Sequence, residues 1–195
     1  MTDREWDRAL GIQTMGREDE RGGRAMPYEP TPYAVLARLA DCGVLGPGDR
    51  LADYGCGKGR AAIFLAARTG CRAGGIDHSE KLVSMAEENR RRCPCPNLVR
   101  FERAQAERYD PGDADAFFFF NPFSETVLRA ALLRILAKRP GRPERMRLFF
   151  YYPSEAYALC LAQEKRLRRA GEIDCRDLFD GNNPRETILI YETEG

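Results

Sequence analysis

A short strand that runs directly into a glycine-rich loop places the strongest constraint on how this chain folds. The segment Arg50–Tyr54 has the composition of a strand, and Asp53–Arg60 reads D-Y-G-C-G-K-G-R, with glycine at alternate positions. An apolar helix pattern follows at 61–67. Alternate glycines let the backbone turn tightly and approach a ligand, and the next helix begins with unpaired N–H groups. The sequence therefore predicts a strand, loop and helix unit that binds a nucleoside.

The rest of the chain alternates between strand and helix patterns. Strands are predicted at 50–54, 71–77, 98–101, 114–120, 146–152, 172–179 and 186–192, and helices at 31–42, 61–67, 79–92, 126–137 and 154–169. The segment Gly181–Pro184 has the composition of a hairpin turn. This order predicts an α/β fold with a doubly wound, mostly parallel seven-stranded sheet, an antiparallel C-terminal hairpin strand and helices on both faces. In such a sheet, ligands bind at the carboxyl ends of the strands.

The N-terminal part of the chain has a different character from the remainder. A length of 195 residues fits one α/β domain, assigned to 31–195, with an N-terminal segment at 1–30. That segment is charged, but Trp6 and a few other large apolar residues occur in it, which favours docking onto the domain over a mobile tail. The segment carrying Trp6 is also a candidate lid. Thr31 and Pro32 are predicted to cap and begin the first helix of the domain.

Composition and charge narrow the classes of partner. Hydrophobic residues make up 43% of the chain and charged residues 31%, which indicates a packed core. The formal net charge of +1 creates no global attraction to nucleic acid, so a nucleic-acid partner is possible but not indicated. The arginine-rich stretch Lys138–Arg145 is more typical of a solvated loop than of a phosphate contact. With no secretory signal and no apolar stretch long enough to span a bilayer, we expect a cytoplasmic protein without a membrane partner.

The cysteines predict neither a disulfide framework nor a metal site. Seven cysteines are scattered along the chain, an odd number in a pattern that suits reduced thiols. Only Cys93 and Cys95 are closely spaced. A single C-x-C without a second pair is weak evidence for zinc. A turn after a helix is the preferred interpretation of that segment.

An acidic residue strengthens the prediction of a nucleoside site. Asp77 stands at the end of the second predicted strand, a little over twenty residues beyond the glycine loop. A carboxylate at that place accepts hydrogen bonds from ribose hydroxyls. Asp77 by itself is also compatible with a helix-capping role, but its combination with the loop favours the ribose. The loop spacing, G-x-G-x-G, differs from the G-x-G-x-x-G of dinucleotide domains.

With these residues in place, the chain resembles the class I, seven-stranded methyltransferases that use S-adenosylmethionine. Their D-x-G-x-G-x-G loop is matched by Asp53, Gly55, Gly57 and Gly59, and their ribose-binding acid by Asp77. The resemblance implies S-adenosyl-L-methionine as the cofactor. It also implies that the loop glycines lie against the methionine and ribose parts, and that Asp53 helps to organise the methionine ammonium group.

The resemblance spans about 28–192 and extends the predicted cofactor site beyond the loop. His78 would flank the adenine, and Gln105, with Ala106 beside it, stands where the family often has an acidic residue that meets the adenine amino group. Tyr28 and Thr31 would close the pocket. The complete predicted cofactor site is Tyr28, Thr31, Asp53, Gly55, Cys56, Gly57, Gly59, Asp77, His78, Gln105, Ala106 and Asn121.

The predicted acceptor site lies at the end of the fourth strand. Asn121, Pro122 and Phe123 are the predicted catalytic residues, and they resemble, with one residue missing, the N-P-P-Y/F motif of enzymes that methylate amino groups. In that motif the Asn oxygen accepts a hydrogen bond from the target nitrogen while the aromatic ring packs on its planar group. The alternative is that Asn121 and Pro122 only end a buried strand and cap the next helix. Tyr152, at the end of the fifth strand, is a predicted second aromatic wall.

Three functions remain open at this point. The leading one is a methyltransferase that acts on a nitrogen of a protein or nucleic-acid acceptor. The nearest alternative is methylation of a small molecule at nitrogen or oxygen, because a chain of this size leaves little room for a separate recognition domain. A third is a non-catalytic protein that binds S-adenosylmethionine. An NAD-dependent oxidoreductase is disfavoured by the glycine spacing and the terminal hairpin.

Overall fold

The computed structural model describes residues 1–16, 28–137 and 145–193, and within them a single seven-stranded sheet. The strands are β1 (Arg50–Tyr54), β2 (Arg72–Asp77), β3 (Val99–Arg103), β4 (Ala116–Phe119), β5 (Arg147–Tyr151), β6 (Leu167–Asp174) and β7 (Thr187–Thr193). The helices are α1 (Asp3–Leu10), α2 (Tyr33–Asp41), α3 (Arg60–Thr69), α4 (Glu80–Arg92), α5 (Glu125–Ile135) and α6 (Glu155–Gln163), with a short 3₁₀ turn at Arg176–Leu178.

The order of the strands is β3-β2-β1-β4-β5-β7-β6. Strands β1 to β5 are mutually parallel, and β7 lies antiparallel between β5 and β6. The chain order reverses between β1 and β4, which is the place where doubly wound sheets open a crevice for a ligand. The predicted fold class, with its antiparallel C-terminal strand, is confirmed.

Both faces of the sheet are buried, because consecutive side chains of a strand point to opposite faces. In β4, Phe118 belongs to the apolar cluster that includes α2 and α3, whereas Phe117 and Phe119 belong to the cluster that includes α5 and α6. All three rings are almost completely inaccessible to solvent. The continuous apolar run at the centre of the sheet therefore reflects helices on both faces, as predicted.

The N-terminal helix is packed onto the domain. The Trp6 ring lies 5.9 Å from the Tyr33 ring and 5.1 Å from the Phe64 ring, so α1 covers α2 and α3. Leu10 and Ile12 are buried in the same cluster. The described residues 1–16 are thus docked rather than free.

A buried arginine joins this N-terminal helix to the glycine loop. Arg60, the first residue of α3, is only 2% exposed. Its Nε donates to Thr14 Oγ1 at 2.6 Å, and its Nη1 donates to Asp3 Oδ2 at 2.5 Å and to the Thr31 carbonyl at 3.1 Å. Thr14 in turn donates from its backbone N–H and its hydroxyl to the buried Asp7 carboxylate. The start of α3 is therefore fixed by polar contacts with the N-terminal segment.

Two predicted elements near the C-terminus differ from the structure. The helix predicted at 154–169 ends at Gln163. The strand predicted at 172–179 is β6, which begins at Leu167, four residues after the end of α6, and ends at Asp174. Within the described parts of the chain, β6 is an edge strand paired with β7 alone, and most of its side chains are exposed. An edge strand with charged side chains lacks the apolar alternation by which strands are identified in a sequence.

The predicted start of α2 is also wrong in detail. Pro32, not Thr31, occupies the N-cap position of α2. The side chain of Pro32 makes no capping hydrogen bond to the helix. Instead, the Asp3 carboxylate accepts from the Tyr33 N–H at 3.3 Å, so α1 supplies the capping group. A contact between segments thirty residues apart cannot be read from the local sequence.

Three further predictions concern the arginine-rich stretch, the closely spaced cysteines and membrane spans. Of the arginine-rich stretch, 138–144 lies outside the described residues, while Arg145 forms an ion pair with Glu192. Cys93 ends α4, and its sulfur lies 3.9 Å from that of Cys95. Among the described residues, no helix has the length and apolarity required to cross a membrane.

Candidate functional site

A cavity of about 700 Å³ opens at the carboxyl ends of β1, β2, β4 and β5. The predicted site residues that line it are Tyr28, Gly55, Asp77, His78, Gln105, Ala106, Asn121, Pro122 and Phe123. The other predicted residues, which are Thr31, Asp53, Cys56, Gly57 and Gly59, are not part of its lining. One cavity thus joins the predicted cofactor residues to the predicted acceptor residues.

The glycine loop packs against residues that a larger side chain would displace. Gly55 has φ 78°, and a Cβ there would lie 2.2 Å from Pro122 Cβ. Gly57 has φ 53°, and a Cβ there would lie 2.2 Å from the Tyr28 ring. Both the positive φ and the close approach require glycine. The loop therefore brings β1 into direct contact with the end of β4 and with Tyr28.

Tyr28 covers the loop and is fixed on it. Its hydroxyl donates to the Thr14 carbonyl at 2.7 Å, and the Lys58 ammonium lies 4.9 Å from its ring centroid. Burial raises the pKa of the Tyr28 phenol, so the hydroxyl remains a neutral donor. Trp6, in contrast, does not line the cavity. Thr31 does not line the cavity either. It is buried, and its carbonyl accepts from Arg60 Nη1.

Asp77 organises the loop and also faces the cavity. Its Oδ2 accepts from the Gly57 N–H and its Oδ1 from the Ser79 N–H, each at 3.0 Å. His78 Nδ1 lies 3.2 Å from Oδ1. The carboxylate is 8% exposed and belongs to the cavity lining. Asp77 therefore couples the ends of β1 and β2, and it presents a carboxylate at the place where a ribose binds in folds of this type.

Asp53 is a buried acid with an unsatisfied oxygen. It is 3% exposed, and among the described residues its Oδ2 has no hydrogen-bond partner. Burial, with a further contribution from the nearby Asp77 carboxylate, raises its pKa to about 7. An unpaired buried carboxylate is costly unless a cation or a donor satisfies it. The environment of Asp53 thus favours a cationic donor beside the glycine loop.

The pKa of Asp53 makes the stability of the cofactor-free protein depend on pH. The folded protein retains a proton that the unfolded chain releases above pH 3.8, the ordinary pKa of this carboxyl. The free energy of unfolding should therefore fall as pH rises from about 4 to about 7, by up to about 1.4 kcal/mol per pH unit. Urea denaturation of the wild type and of Asp53→Asn at pH 5 and pH 8 measures this, and the variant should lose that part of the pH dependence.

The exposed Asp180 offers a matched control for this measurement. Asp180→Asn should have the same difference in unfolding free energy between pH 5 and pH 8 as the wild type. An equal pH dependence in wild type and Asp53→Asn would contradict the raised pKa.

The part of the cavity beyond Asp77 is apolar with a few polar groups. Ile76, Leu82 and Ala106 line it together with His78 and Gln105. The backbone carbonyl of Gln105 accepts from the Arg108 and Tyr109 N–H groups, which fixes the turn after β3. Apolar walls with a few polar groups at the rim are typical of a site for a planar heterocycle.

Asn121 has structural partners that the sequence did not indicate. It has φ 40°, its side-chain nitrogen donates to the Tyr152 carbonyl, and its oxygen accepts from the Ser154 N–H at 3.2 Å. Tyr152 also has a positive φ, of 51°. The side chain of Asn121 therefore joins the ends of β4 and β5 and bonds the start of α6. It does not cap α5, whose cap residue is Ser124.

Pro122 and Phe123, the other two predicted catalytic residues, both line the cavity but make different contacts. Pro122 lies against Gly55, as described above. Phe123 also lines the cavity, its ring lies 6.4 Å from that of Phe119, and its carbonyl accepts from the Tyr157 hydroxyl at 2.8 Å. The ring of Phe123 is thus on a fixed backbone at the end of β4.

Sequence reasoning missed the contribution of β7 to this cavity. Arg185 and Glu186 precede β7 and line the cavity together with Tyr151 and Tyr152. Because β7 is antiparallel to β5, its beginning lies beside the carboxyl end of β5. The signal available in the sequence was the predicted reversal of the last strand, which places the residues just before it at the ligand-binding edge.

Known proteins provide an independent comparison with this fold and site. A family model described as a methyltransferase domain matches residues 51–138. A 27-O-demethylrifamycin SV methyltransferase from Amycolatopsis mediterranei is 32% identical over 148 residues, which are 74% of this chain and 54% of that protein. A 23S rRNA (uracil(1939)-C(5))-methyltransferase from Thiobacillus denitrificans is 27% identical over 188 residues, which are 87% of this chain and 42% of that protein. The chain spans about half the length of these curated relatives.

Solved structures share the architecture at low sequence identity. An RNA methyltransferase from Salinibacter ruber, in complex with S-adenosyl-L-homocysteine, has a TM-score of 0.59 and 21% identity, covering 85% of this chain and 92% of its own. A geranyl diphosphate C-methyltransferase from Streptomyces coelicolor has a TM-score of 0.58 and 18% identity, covering 84% of this chain and 77% of its own. These likenesses establish a shared fold.

Proposed function

The chain belongs to the class I methyltransferases, whose cofactor is S-adenosylmethionine, and from that premise we propose that it methylates a nitrogen of a protein or nucleic-acid acceptor. The observation that carries the proposal is the single cavity lined both by Asp77 and by Asn121, Pro122 and Phe123. A methyl donor and an acceptor held in one cavity react by proximity and alignment, with little need for a strong base.

The residues present fit the cofactor. The buried Asp53 oxygen without a partner suits the methionine ammonium group, and Asp77 suits the ribose hydroxyls. The glycines carry no side chain of their own, so Pro122 and Tyr28 pack directly on the loop and Gly55 lines the cavity with its backbone. His78, Gln105 and Ala106 line the part of the cavity that suits the adenine. When bound, the cofactor supplies a methyl group on a sulfonium.

The acceptor would bind beside the end of β4, where the backbone of Asn121, Pro122 and Phe123 is held in place and Phe123 lines the cavity. Phe123 packs against a planar acceptor group, while Pro122 keeps the end of β4 against the glycine loop. Asn121 holds this segment to Tyr152 and Ser154. In this proposal Asn121 acts by positioning the acceptor wall. Its amide oxygen has a second lone pair that can accept from the target nitrogen.

The test is transfer of radioactive methyl groups from S-adenosylmethionine to separate pools of RNA, protein and small molecules. Label in RNA or protein, on nitrogen as identified by mass spectrometry of the hydrolysate, is expected. Label on oxygen or carbon would contradict the proposed atom. Binding of S-adenosylhomocysteine without label in any pool would favour a non-catalytic cofactor-binding protein.

Two Asn121 variants separate its positioning role from cofactor binding. Asn121→Gly tolerates the positive φ but removes both side-chain bonds, and Asn121→Asp retains only the acceptor for the Ser154 N–H. Both should lower kcat at least about tenfold, a barrier change of about 1.4 kcal/mol, with the Kd of S-adenosylhomocysteine unchanged. Equal loss of cofactor binding would show that Asn121 acts on the fold instead.

A specific observation favours small-molecule methylation as the second candidate. The relative from Amycolatopsis mediterranei is named for a small-molecule acceptor and is more than 30% identical to this chain. Label confined to the small-molecule pool would support this candidate over the macromolecular acceptor.

A further inference from the structure

We propose that Glu186 is the acceptor-binding residue of this cavity and that the acceptor it recognises is a basic amine. The inference rests on the proposed function, since it specifies which nitrogen receives the methyl group.

The position of Glu186 follows from the topology. Tyr151 pairs with Ile188, and the Tyr152 N–H donates to the Thr187 carbonyl at 3.0 Å, so Glu186 lies next to the end of β5. Glu186 and Phe123 line the same cavity. The carboxylate is therefore at the acceptor end of the cavity, away from the ribose-facing Asp77 at the end of β2.

The orientation of Glu186 is fixed by hydrogen bonds. The Tyr151 hydroxyl donates to its Oε2 at 2.5 Å, and its backbone N–H donates to the Asn183 carbonyl at 3.0 Å. Asn183 also donates from its side chain to the Tyr152 hydroxyl at 2.8 Å. Burial and the Glu186 carboxylate raise the pKa of Tyr151, so this phenol stays protonated and remains a donor. Among the described side chains only Tyr151 donates to Glu186, which leaves Oε1 available to a ligand.

The electrostatics of the cavity favour a cation. Within the described lining, the carboxylates are Glu29, Asp77, Glu107 and Glu186, and the guanidinium is Arg185. The Arg185 guanidinium contacts protein groups. It lies 4.1 Å from the Tyr152 ring centroid and donates to the Tyr152 and Pro153 carbonyls, each at 3.3 Å. An excess of carboxylates attracts basic acceptors and repels phosphorylated ones.

Aromatic rings beside Glu186 add to this preference. The Phe120 ring centroid lies 4.8 Å from that of Tyr151 and 6.4 Å from that of Tyr152, and all three rings line the cavity. The Tyr152 ring already carries the Arg185 guanidinium, whereas rings such as those of Phe120 and Tyr151 attract ammonium groups through their negative faces. A carboxylate among aromatic rings is the chemistry that binds an amine.

Transfer of the methyl group requires a free lone pair on the acceptor nitrogen. The bound ammonium gives one proton to water, and Glu186 accepts a hydrogen bond from a remaining N–H, which directs the lone pair away from the carboxylate. The lone pair forms the N–C bond as the C–S bond breaks, and that electron pair goes to sulfur. The products are a methylated ammonium and a neutral thioether.

Binding of benzylamine to the protein loaded with S-adenosylhomocysteine tests this inference. At pH 8 benzylammonium should bind with a Kd on the order of 1 mM and should bind at least about tenfold more weakly to Glu186→Gln. The glutamine oxygen can still accept from Tyr151, so the fold is retained. Benzyl alcohol should bind equally to both proteins. Glu88→Gln, an exposed substitution on α4, is the matched control and should bind benzylammonium as the wild type does.

Other outcomes separate this inference from the proposed function. Equal benzylammonium affinity in wild type and Glu186→Gln, or preferential binding of phenylacetate, would overturn the role of Glu186 while S-adenosylhomocysteine binding stayed intact. Failure of the wild type to bind S-adenosylhomocysteine would overturn the proposed function. Tyr151→Phe, which keeps the charge and removes only the orienting hydroxyl, should weaken benzylammonium about threefold. No weakening in Glu186→Gln together with none in Tyr151→Phe would exclude the site.

Discussion

Replacing Asp77 by alanine is expected to weaken the binding of S-adenosylhomocysteine at least about 100-fold. Hydrogen bonds to a charged group contribute about 1.5–3 kcal/mol each, so loss of the ribose contacts alone accounts for a change of this size. The substitution also removes the acceptor for the Gly57 and Ser79 N–H groups. Calorimetric titration of wild type and variant measures the effect directly.

Two controls make the Asp77 result interpretable. Glu88→Ala replaces an exposed acid on the following helix and should leave the Kd unchanged. Asp77→Asn retains an oxygen acceptor without the charge, so its affinity should lie between those of the wild type and Asp77→Ala. An unchanged Kd in Asp77→Ala would contradict the assignment of this carboxylate to the ribose.

Replacing Arg60 by methionine is expected to lower the free energy of unfolding by about 3–5 kcal/mol. Removing one member of a buried ionic network leaves the others uncompensated, and losses of this size are typical. Here the groups left without the guanidinium are Thr14, Asp3 and the Thr31 carbonyl. The guanidinium also lies 4.4 Å from the Tyr33 ring centroid, a contact that methionine does not replace electrostatically. Urea denaturation gives the free-energy difference.

A second arginine of the same helix provides the matched control. Arg68 is exposed and pairs with the exposed Asp41, so Arg68→Met should change the free energy of unfolding by less than about 1 kcal/mol. Arg60→Lys should be intermediate, because it keeps the charge but loses the planar guanidinium geometry. Similar stabilities of Arg60→Met and Arg68→Met would show that the N-terminal segment is not held by this network.

The N-terminal segment that Arg60 holds is also linked to the glycine loop. Asn89 of α4 donates to the Lys58 carbonyl at 2.9 Å and to the Gln13 carbonyl at 3.2 Å, and it accepts from the Gln13 N–H at 2.9 Å. The N-terminal segment is thus bonded both to the start of α3, through Arg60, and to the glycine loop, through Asn89. Cofactor binding and docking of this segment should therefore be thermodynamically coupled, so that S-adenosylhomocysteine binds less tightly to Arg60→Met.

The sequence was sufficient for the fold because its signals are local. Helical spacing of apolar residues, glycines at a strand end and an acid at the next strand end each arise within a few residues, and their order implies a doubly wound sheet. The predicted fold class followed from these signals, whereas the family and its cofactor followed from the resemblance of the glycine loop and Asp77 to the class I methyltransferases. The boundaries of β1 and of α4, including its Ser79 cap, were also accessible, because they depend on turn and cap residues adjacent to the element.

The tertiary structure decided the features that depend on contacts between distant segments. Strand β6 begins at Leu167, five residues before the predicted start, because β7 pairs with it along the sheet edge despite its charged sequence. Asn121 acquired its partners, Tyr152 and Ser154, about thirty residues further along the chain. Glu186 lines the cavity only because an antiparallel strand begins at the edge where parallel strands end. Local sequence encodes the conformation of each element, whereas pairing and side-chain partners depend on the free energy of the whole packed molecule.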